Sequence, residues 1–257
     1  DETYSPDIPD PLNAGEIVKG GTGYGLDNRL PDEIEHIYPD YSLYPELTCD
    51  TAYGFLTRGC PRGCSFCIVA GKEGRAARKV ADLSEWWRGQ KNIKLLDPNL
   101  LACTSHMDLL GQLAESGAWV DFTQGLDIRL TNAQNTELIQ RVKTQAIHFA
   151  WDNPEQDLTE HFRRFKDLPG IKDYRKLGVY VLTNYRDGET AEEKIENALR
   201  RIYPLRNLGY NPYVMIYDKP HAPKQIRMLQ RWCNNRVIFR SEPDFYKYGP
   251  KIAAHRR

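Results

Sequence analysis

No stretch of this chain approaches the roughly 18 consecutive apolar residues that a membrane-spanning helix needs, so no membrane partner is expected. Neither sign of charge is in surplus: 35 Lys+Arg stand against 35 Asp+Glu, for a formal net charge of +0. That excludes a protein-wide basic field of the kind that draws nucleic acid. It leaves only a local patch at Lys247, Lys251, Arg256 and Arg257, for which a solvated tail is the simpler account. Cysteine is sparse and unpaired in pattern, at positions 49, 60, 64, 67, 103 and 233. A disulfide framework belongs to short chains with dispersed pairs, so a reducing, cytoplasmic setting is expected. The glycine-rich run Gly20-Gly21-Thr22-Gly23-Tyr24-Gly25 lacks the Lys-Ser/Thr of a phosphate loop and the spacing of a dinucleotide fingerprint. The sequence opens Asp1-Glu2-Thr3, with neither Met nor an apolar signal region, which suggests a piece of a longer chain.

What is present is ordinary folded composition, with 40% hydrophobic and 27% charged residues in 257 and a mean hydropathy of -0.63, enough to bury a sizeable core. Residues 1–50 read as an extended arm that packs on a domain. Pro6, Pro9, Pro11, Pro31, Pro39 and Pro45 are scattered through it, and only Pro31–Tyr38 suggests a short helix. Residues 51–240 form the core domain and 241–257 a basic tail.

Within the core, short β-rich runs alternate with amphipathic stretches. The expected strands are Tyr53–Thr57, Asn92–Leu96, Trp119–Thr123, Ala146–Trp151, Gly178–Leu182 and Tyr213–Tyr217. The expected helices are Leu83–Gln90, Met107–Ser116, Ala133–Val142, Asp157–Phe165, Glu192–Ile202 and Pro223–Cys233. Leu109, Leu110, Leu113 and Ala114 place an apolar stripe on one helical face, with Asp108, Gln112 and Glu115 off it. Val237-Ile238-Phe239 suggests a last short strand. Such alternation implies parallel strands with right-handed crossovers. The expected fold is therefore α/β, a partial (β/α)6 TIM-like barrel with an extended N-terminal arm. A doubly wound open sheet is the alternative.

In parallel α/β folds chemistry gathers where strands end. The first strand runs into Arg58-Gly59-Cys60-Pro61-Arg62-Gly63-Cys64-Ser65-Phe66-Cys67, a C-x3-C-x2-C triplet. Gly59 and Gly63 let the loop fold tightly and Pro61 stiffens it. Three thiolates on one loop can converge on one metal. A structural zinc takes four protein ligands, and an iron–sulfur cube usually takes four cysteines. With no fourth cysteine nearby, one metal position stays open to an exogenous ligand.

The stretch Gly54–Cys67, with Phe66 before the last cysteine, resembles the cluster loop of radical S-adenosyl-L-methionine (radical SAM) enzymes, and the resemblance covers about residues 50 to 240. It is closest in style to cobalamin-linked and methylthiotransferase-type members. It lacks the cobalamin domain with its D-x-H-x2-G motif, and it lacks the extra three-cysteine domain. The resemblance implies a 4Fe-4S cluster on Cys60, Cys64 and Cys67. It also implies SAM as cofactor, an electron donor such as flavodoxin or ferredoxin, and a substrate that is an RNA, a peptide or a small molecule. Asp97 and Asn99 in Leu96-Asp97-Pro98-Asn99 look like the pair that holds the SAM amino group, against the simpler account of an Asp-Pro turn. Gln124, Asp127 and Arg129 resemble the region that meets its ribose or carboxylate, although Asp127 and Arg129 could pair with each other. Val179–Tyr185 resembles the strand that backs the adenine, and Phe66 belongs to the cofactor-binding set. Lys72, Arg75 and Arg78 resemble a basic stretch common after the loop, with solvated charges as the simpler account. Cys49, Cys103 and Cys233 read as small buried hydrophobes. From another class, the alternative is a zinc-stabilised binding module without catalysis.

Overall fold

The computed structural model describes residues 21–22, 24–48, 50–168 and 177–248. Gly20, Gly23, Cys49, Lys251, Arg256 and Arg257 lie outside the described residues.

All six expected strands form. The parallel strands are β1 (Thr51–Gly54), β4 (Asn92–Leu95), β5 (Trp119–Phe122), β6 (Ile147–Ala150), β7 (Leu177–Thr183) and β8 (Asn211–Ile216). They build two three-stranded parallel sheets, β1-β4-β5 and β6-β7-β8. Between them, Leu126 bridges Phe149 in parallel sense, its amide donating to the His148 carbonyl at 2.7 Å. Neighbouring parallel strands therefore follow one another in sequence, without the reversal of strand order that defines a doubly wound sheet.

Strand alternation decides where the core sits. Ala52, Ile93, Leu95, Val120, Phe122, Phe149, Val179, Val181 and Val214 are buried on the face that meets the helices. Those helices are α4 (His106–Ser116), α5 (Ala133–Arg141), α6 (Thr159–Asp167), α7 (Ala191–Asn207) and α8 (Lys224–Asn234). The expected stripe of α4 is buried at Leu109, Leu110 and Leu113. Phe149, Phe162, Phe165 and Tyr210 pack edge-to-face, the arrangement ring quadrupoles favour.

Four local expectations are corrected. The first strand does not run through to Thr57. It stops at Gly54, and Thr57–Arg58 (β2) instead pairs antiparallel with Arg78–Lys79 (β3). The cysteine loop is therefore the tip of a hairpin. Leu83–Gln90 is not a helix. Only Leu83–Glu85 makes a helical turn, opened by an Asp82/Glu85 capping box, and Gly89 with φ 93° turns the chain away. Val237-Ile238-Phe239 is not a strand but part of α9 (Arg236–Ser241), because the Asn235 side chain accepts from the amides of Val237 and Ile238. Local capping there outweighs β-branched propensity: Val237 is 77% exposed while Phe239 is buried against Trp232. Finally, the core runs past residue 240, since Phe245 is fully buried against the same Trp232.

The described part of the arm holds short helical turns, α1 (Asp32–Glu35) and α2 (Pro45–Thr48), with α3 (Val69–Lys72) following the cysteine loop and α10 (Phe245–Tyr248) near the C-terminal end. The arm packs on the core through Tyr41, whose hydroxyl donates to the Trp86 carbonyl at 3.0 Å and accepts from the Tyr53 amide at 3.0 Å.

Candidate functional site

The cysteine loop leaves β2 through two glycines in the left-handed region, Gly59 (φ 87°) and Gly63 (φ 59°). At Gly59 the need is also steric, because a Cβ would come within 2.2 Å of the Ala76 carbonyl oxygen. Glu73 fastens the loop from behind: Oε2 accepts from the Gly59 amide at 2.9 Å and Oε1 from Arg58 at 3.0 Å. The Cys60 amide donates to the Gly74 carbonyl at 3.2 Å, and the Cys67 amide to that of Cys64 at 3.0 Å. Gly59→Ala should therefore cost about 2 kcal/mol or more through strained backbone and displaced carbonyl. Gly71→Ala is the control, since a Cβ there meets nothing within 4 Å. Thermal melts of the two variants check this, with only Gly59→Ala expected to melt earlier.

Cys60 is half-buried, while Cys64 and Cys67 are exposed. Burial, then the negative charge of Asp152, pushes the Cys64 thiol up from its ordinary value. Among the described residues, no three Cys, His, Asp or Glu side chains are gathered as a metal-binding group. Cys103 and Cys233 are buried elsewhere, and the Cys233 thiol donates to the Pro212 carbonyl at 3.4 Å.

Asp97 and Asn99 stand at the end of β4 and have different environments. Both carboxylate oxygens of Asp97 are engaged. Oδ1 accepts from the Leu56 amide at 2.8 Å, and Oδ2 from the Thr57 amide at 2.8 Å and the Thr57 hydroxyl at 2.5 Å. Asp97 thus pins the corner between β1 and β2. Asn99 is 4% exposed; its Nδ2 lies 3.5 Å from Cys60 Sγ and 3.4 Å from Asp127 Oδ2. Its Oδ1 has no hydrogen-bond partner among the described residues. A buried acceptor left open beside a cysteine suits a donor such as an ammonium group.

Burial pushes the Asp97 carboxyl up to about 7, against the pull of the Thr57 hydroxyl and the Leu56 and Thr57 amides. Folded, it holds its proton to higher pH than the unfolded chain does. Its contribution to stability is therefore full below about pH 3.8 and declines as pH rises to about 7. Urea midpoints measured across that window should fall in the wild type, and the part of the slope due to this group should vanish in Asp97→Asn.

Asp127 and Arg129 do pair, Nε to Oδ1 at 2.7 Å, and Arg62 of the cysteine loop joins at 2.6 Å to Oδ2. Burial raises the Asp127 carboxyl, but the two guanidinium groups outweigh it and hold it below the usual value. Gln124 is exposed at the end of β5. Phe66 packs edge-to-face on Tyr185, with centroids 5.0 Å apart, joining the cysteine loop to the end of β7. Lys72 donates to the Thr22 hydroxyl and so ties the arm to the hairpin, while Arg78 donates to the Glu73 carbonyl at 2.7 Å within the hairpin; Arg75 is exposed.

Two residues belong here that sequence alone did not single out. Glu73 is the loop fastener described above. Asp152 follows β6 and faces Cys64 and Arg129 closely enough for their charges to interact; its Oδ1 accepts from the Leu182 amide at 3.0 Å. The only available signal was position, an acid immediately after an apolar strand. The ends of β2, β4, β5, β6 and β7 thus meet around the cysteine loop.

Comparison with models of protein families finds none that matches this chain, and no curated protein matches it either.

Proposed function

We propose that this chain is a radical SAM enzyme on a partial (β/α)6 barrel. The observation that carries the proposal is the C-x3-C-x2-C loop that follows β2, with Asn99 Nδ2 on Cys60 Sγ and Asn99 Oδ1 buried without a partner among the described residues. The donor set fits an iron–sulfur cube, with three thiols on one loop and, among the described residues, no fourth cysteine beside them. Cys60, Cys64 and Cys67 would hold the 4Fe-4S cluster, and Asn99 Oδ1 would accept from the amino group of SAM. Arg62 and Arg129, both already on Asp127, offer guanidinium donors to the carboxylate or ribose. Phe66 on Tyr185 holds the loop to the end of β7, and β7 backs the adenine. A cluster held there and reduced by a flavodoxin- or ferredoxin-type donor would supply the one-electron reduction that cleaves SAM to methionine and a 5′-deoxyadenosyl radical able to take hydrogen from substrate. Free, exposed thiols of this kind need a reducing compartment such as the cytoplasm. Among the described residues no helix is long and apolar enough to cross a membrane.

The test is anaerobic reconstitution with iron and sulfide, followed by dithionite and SAM. The expected result is a brown protein that forms 5′-deoxyadenosine. A colourless protein that retains zinc and forms none would establish the non-catalytic zinc module instead.

A further inference from the structure

On the sheet face turned away from the helices, polar and aromatic side chains replace the apolar ones. Tyr53, Lys94 and Asp121 are register neighbours across β1, β4 and β5, at alternate positions to buried Ala52, Ile93 and Val120. Lys94 Nζ lies 2.5 Å from Asp121 Oδ2, so this pair adds no net charge. On β6, His148 stacks on Tyr180 of β7, with centroids 5.2 Å apart and 12° between planes. Gly178 makes room for the imidazole, since a Cβ there would come within 2.5 Å of its Cδ2. The His148 Nδ1 is shielded from solvent and has no hydrogen-bond partner among the described residues. Burial lowers the proton affinity of the ring, with Asp121 opposing and Lys94 reinforcing.

A cavity of about 420 Å3 opens over this face, walled by Asn92, Lys94, Trp119, Asp121, Gln145 and His148. A second, of about 200 Å3, shares His148 with it and reaches Tyr180 and Tyr213. The larger falls within the roughly 300–1,000 Å3 of small-ligand sites. We propose that this pocket binds a flat, uncharged heteroaromatic ring of the nucleobase class, stacked on Trp119 and hydrogen-bonded by Asn92, Gln145 and His148.

Each part of that choice has a cause. The cancelled Lys94–Asp121 pair favours a neutral ligand over an ion. Amide side chains carry a donor and an acceptor side by side, the pattern that a base edge presents. Trp119 is 39% exposed, a large ring open to stacking of the kind bases make on aromatic platforms. An extended peptide is recognised through an unpaired strand edge. Here β4 is paired on both sides, and β5 is bridged at Trp119 to Lys143 and β6 at Phe149 to Leu126, so the pocket offers a side-chain face and not a backbone edge. As a binding site it stands on the sheet alone: it lies at the starts of β1, β4 and β5, away from the strand ends that meet the cysteine loop, and does not rest on the radical chemistry proposed above.

The experiment titrates guanosine, cytidine and uridine into the 257-residue chain by calorimetry. Adenosine is left out because SAM carries it. At least one nucleoside should bind saturably, and His148→Phe, which keeps the ring but removes its nitrogens, should weaken it about ten-fold. Trp119→Ala should weaken it comparably and keeps the test decisive if His148→Phe fails to fold. Binding should persist in the Cys60/Cys64/Cys67 triple alanine variant, so failure of the cluster chemistry leaves this result standing. Absence of binding by every nucleoside, affinity unchanged in both pocket variants, or saturable binding of a short peptide in their place would overturn the proposal.

Discussion

Alanine at Cys60, Cys64 or Cys67 should each abolish the full cluster and the formation of 5′-deoxyadenosine, while Cys103→Ala and Cys233→Ala should retain both. A thiolate that ligates iron has no substitute in a methyl group. The three loop cysteines share one hairpin tip, whereas Cys103 and Cys233 are buried in the core. Iron content, SAM cleavage and far-UV circular dichroism of the set check this together. The loop variants should stay folded, because the parallel sheets and their helices bury the core without help from the loop. The two core variants carry a different expectation. Removing a buried thiol leaves a small void, so each should lose on the order of 1 kcal/mol of stability yet keep its iron. Loss of iron from folded Cys103→Ala or Cys233→Ala would mean a fourth protein ligand, closing the open iron position and excluding the radical mechanism. Cys49→Ala, outside the described residues, is expected to behave as Cys103→Ala does.

The second large effect lies at Arg201, 2% exposed in α7. Its Nη1 donates to the carbonyls of Trp151 and Asp152, both at 2.8 Å, and its Nη2 to that of Leu182 at 3.0 Å. Its Nε donates to the Asn197 carbonyl at 3.0 Å. Burial pulls the guanidinium down to about 10, with the charge of Asp152 opposing, so it stays charged at neutral pH. One side chain thus satisfies the ends of β6 and β7 and faces the half-buried Asp152. Arg201→Met fills similar space but orphans three strand-end carbonyls and leaves Asp152 with the charge of Arg129 alone. We expect a loss of about 3–5 kcal/mol, a fall in Tm on the order of 10 °C for a chain of this size. Arg200→Met, one residue away on the exposed side, should stay within about 0.5 kcal/mol. Chemical denaturation of both variants checks the difference. Because Asp152 and the Leu182 amide stand at the candidate site, SAM affinity should also drop in Arg201→Met.

Much of this architecture was legible before any coordinates. Period-two runs such as Asn92–Leu96 and the stripe of Leu109, Leu110 and Leu113 are local patterns, and a local pattern survives into the fold whenever the core confirms it. The cysteine triplet was legible for the same reason, since its spacing confines three thiols to one turn. Failures came where short-range preference met a specific partner. Val237-Ile238-Phe239 has strand propensity, but Asn235 caps a helix and Trp232 supplies a surface for Phe239. Leu83–Gln90 has helical spacing, but the turn that the Asp82/Glu85 box opens stops at Trp86 (φ -131°), and Gly89 turns the chain away.

The candidate site divides along the same line. Sequence by itself determined that three thiols share one loop after the first strand, and that polar residues follow every strand, because both depend on neighbours in the chain. Only the tertiary structure decided how those polar groups are used. Asp97 and Asn99 are two residues apart, yet one spends both oxygens on the backbone of Leu56 and Thr57, while the other keeps an open acceptor beside Cys60. Arg62 reaches Asp127 across 65 positions, and Asp152 influences Cys64 from a separate strand. Those pairings are set by which strand ends lie side by side. That is a property of the folded sheet, and spacing along the chain carries no record of it.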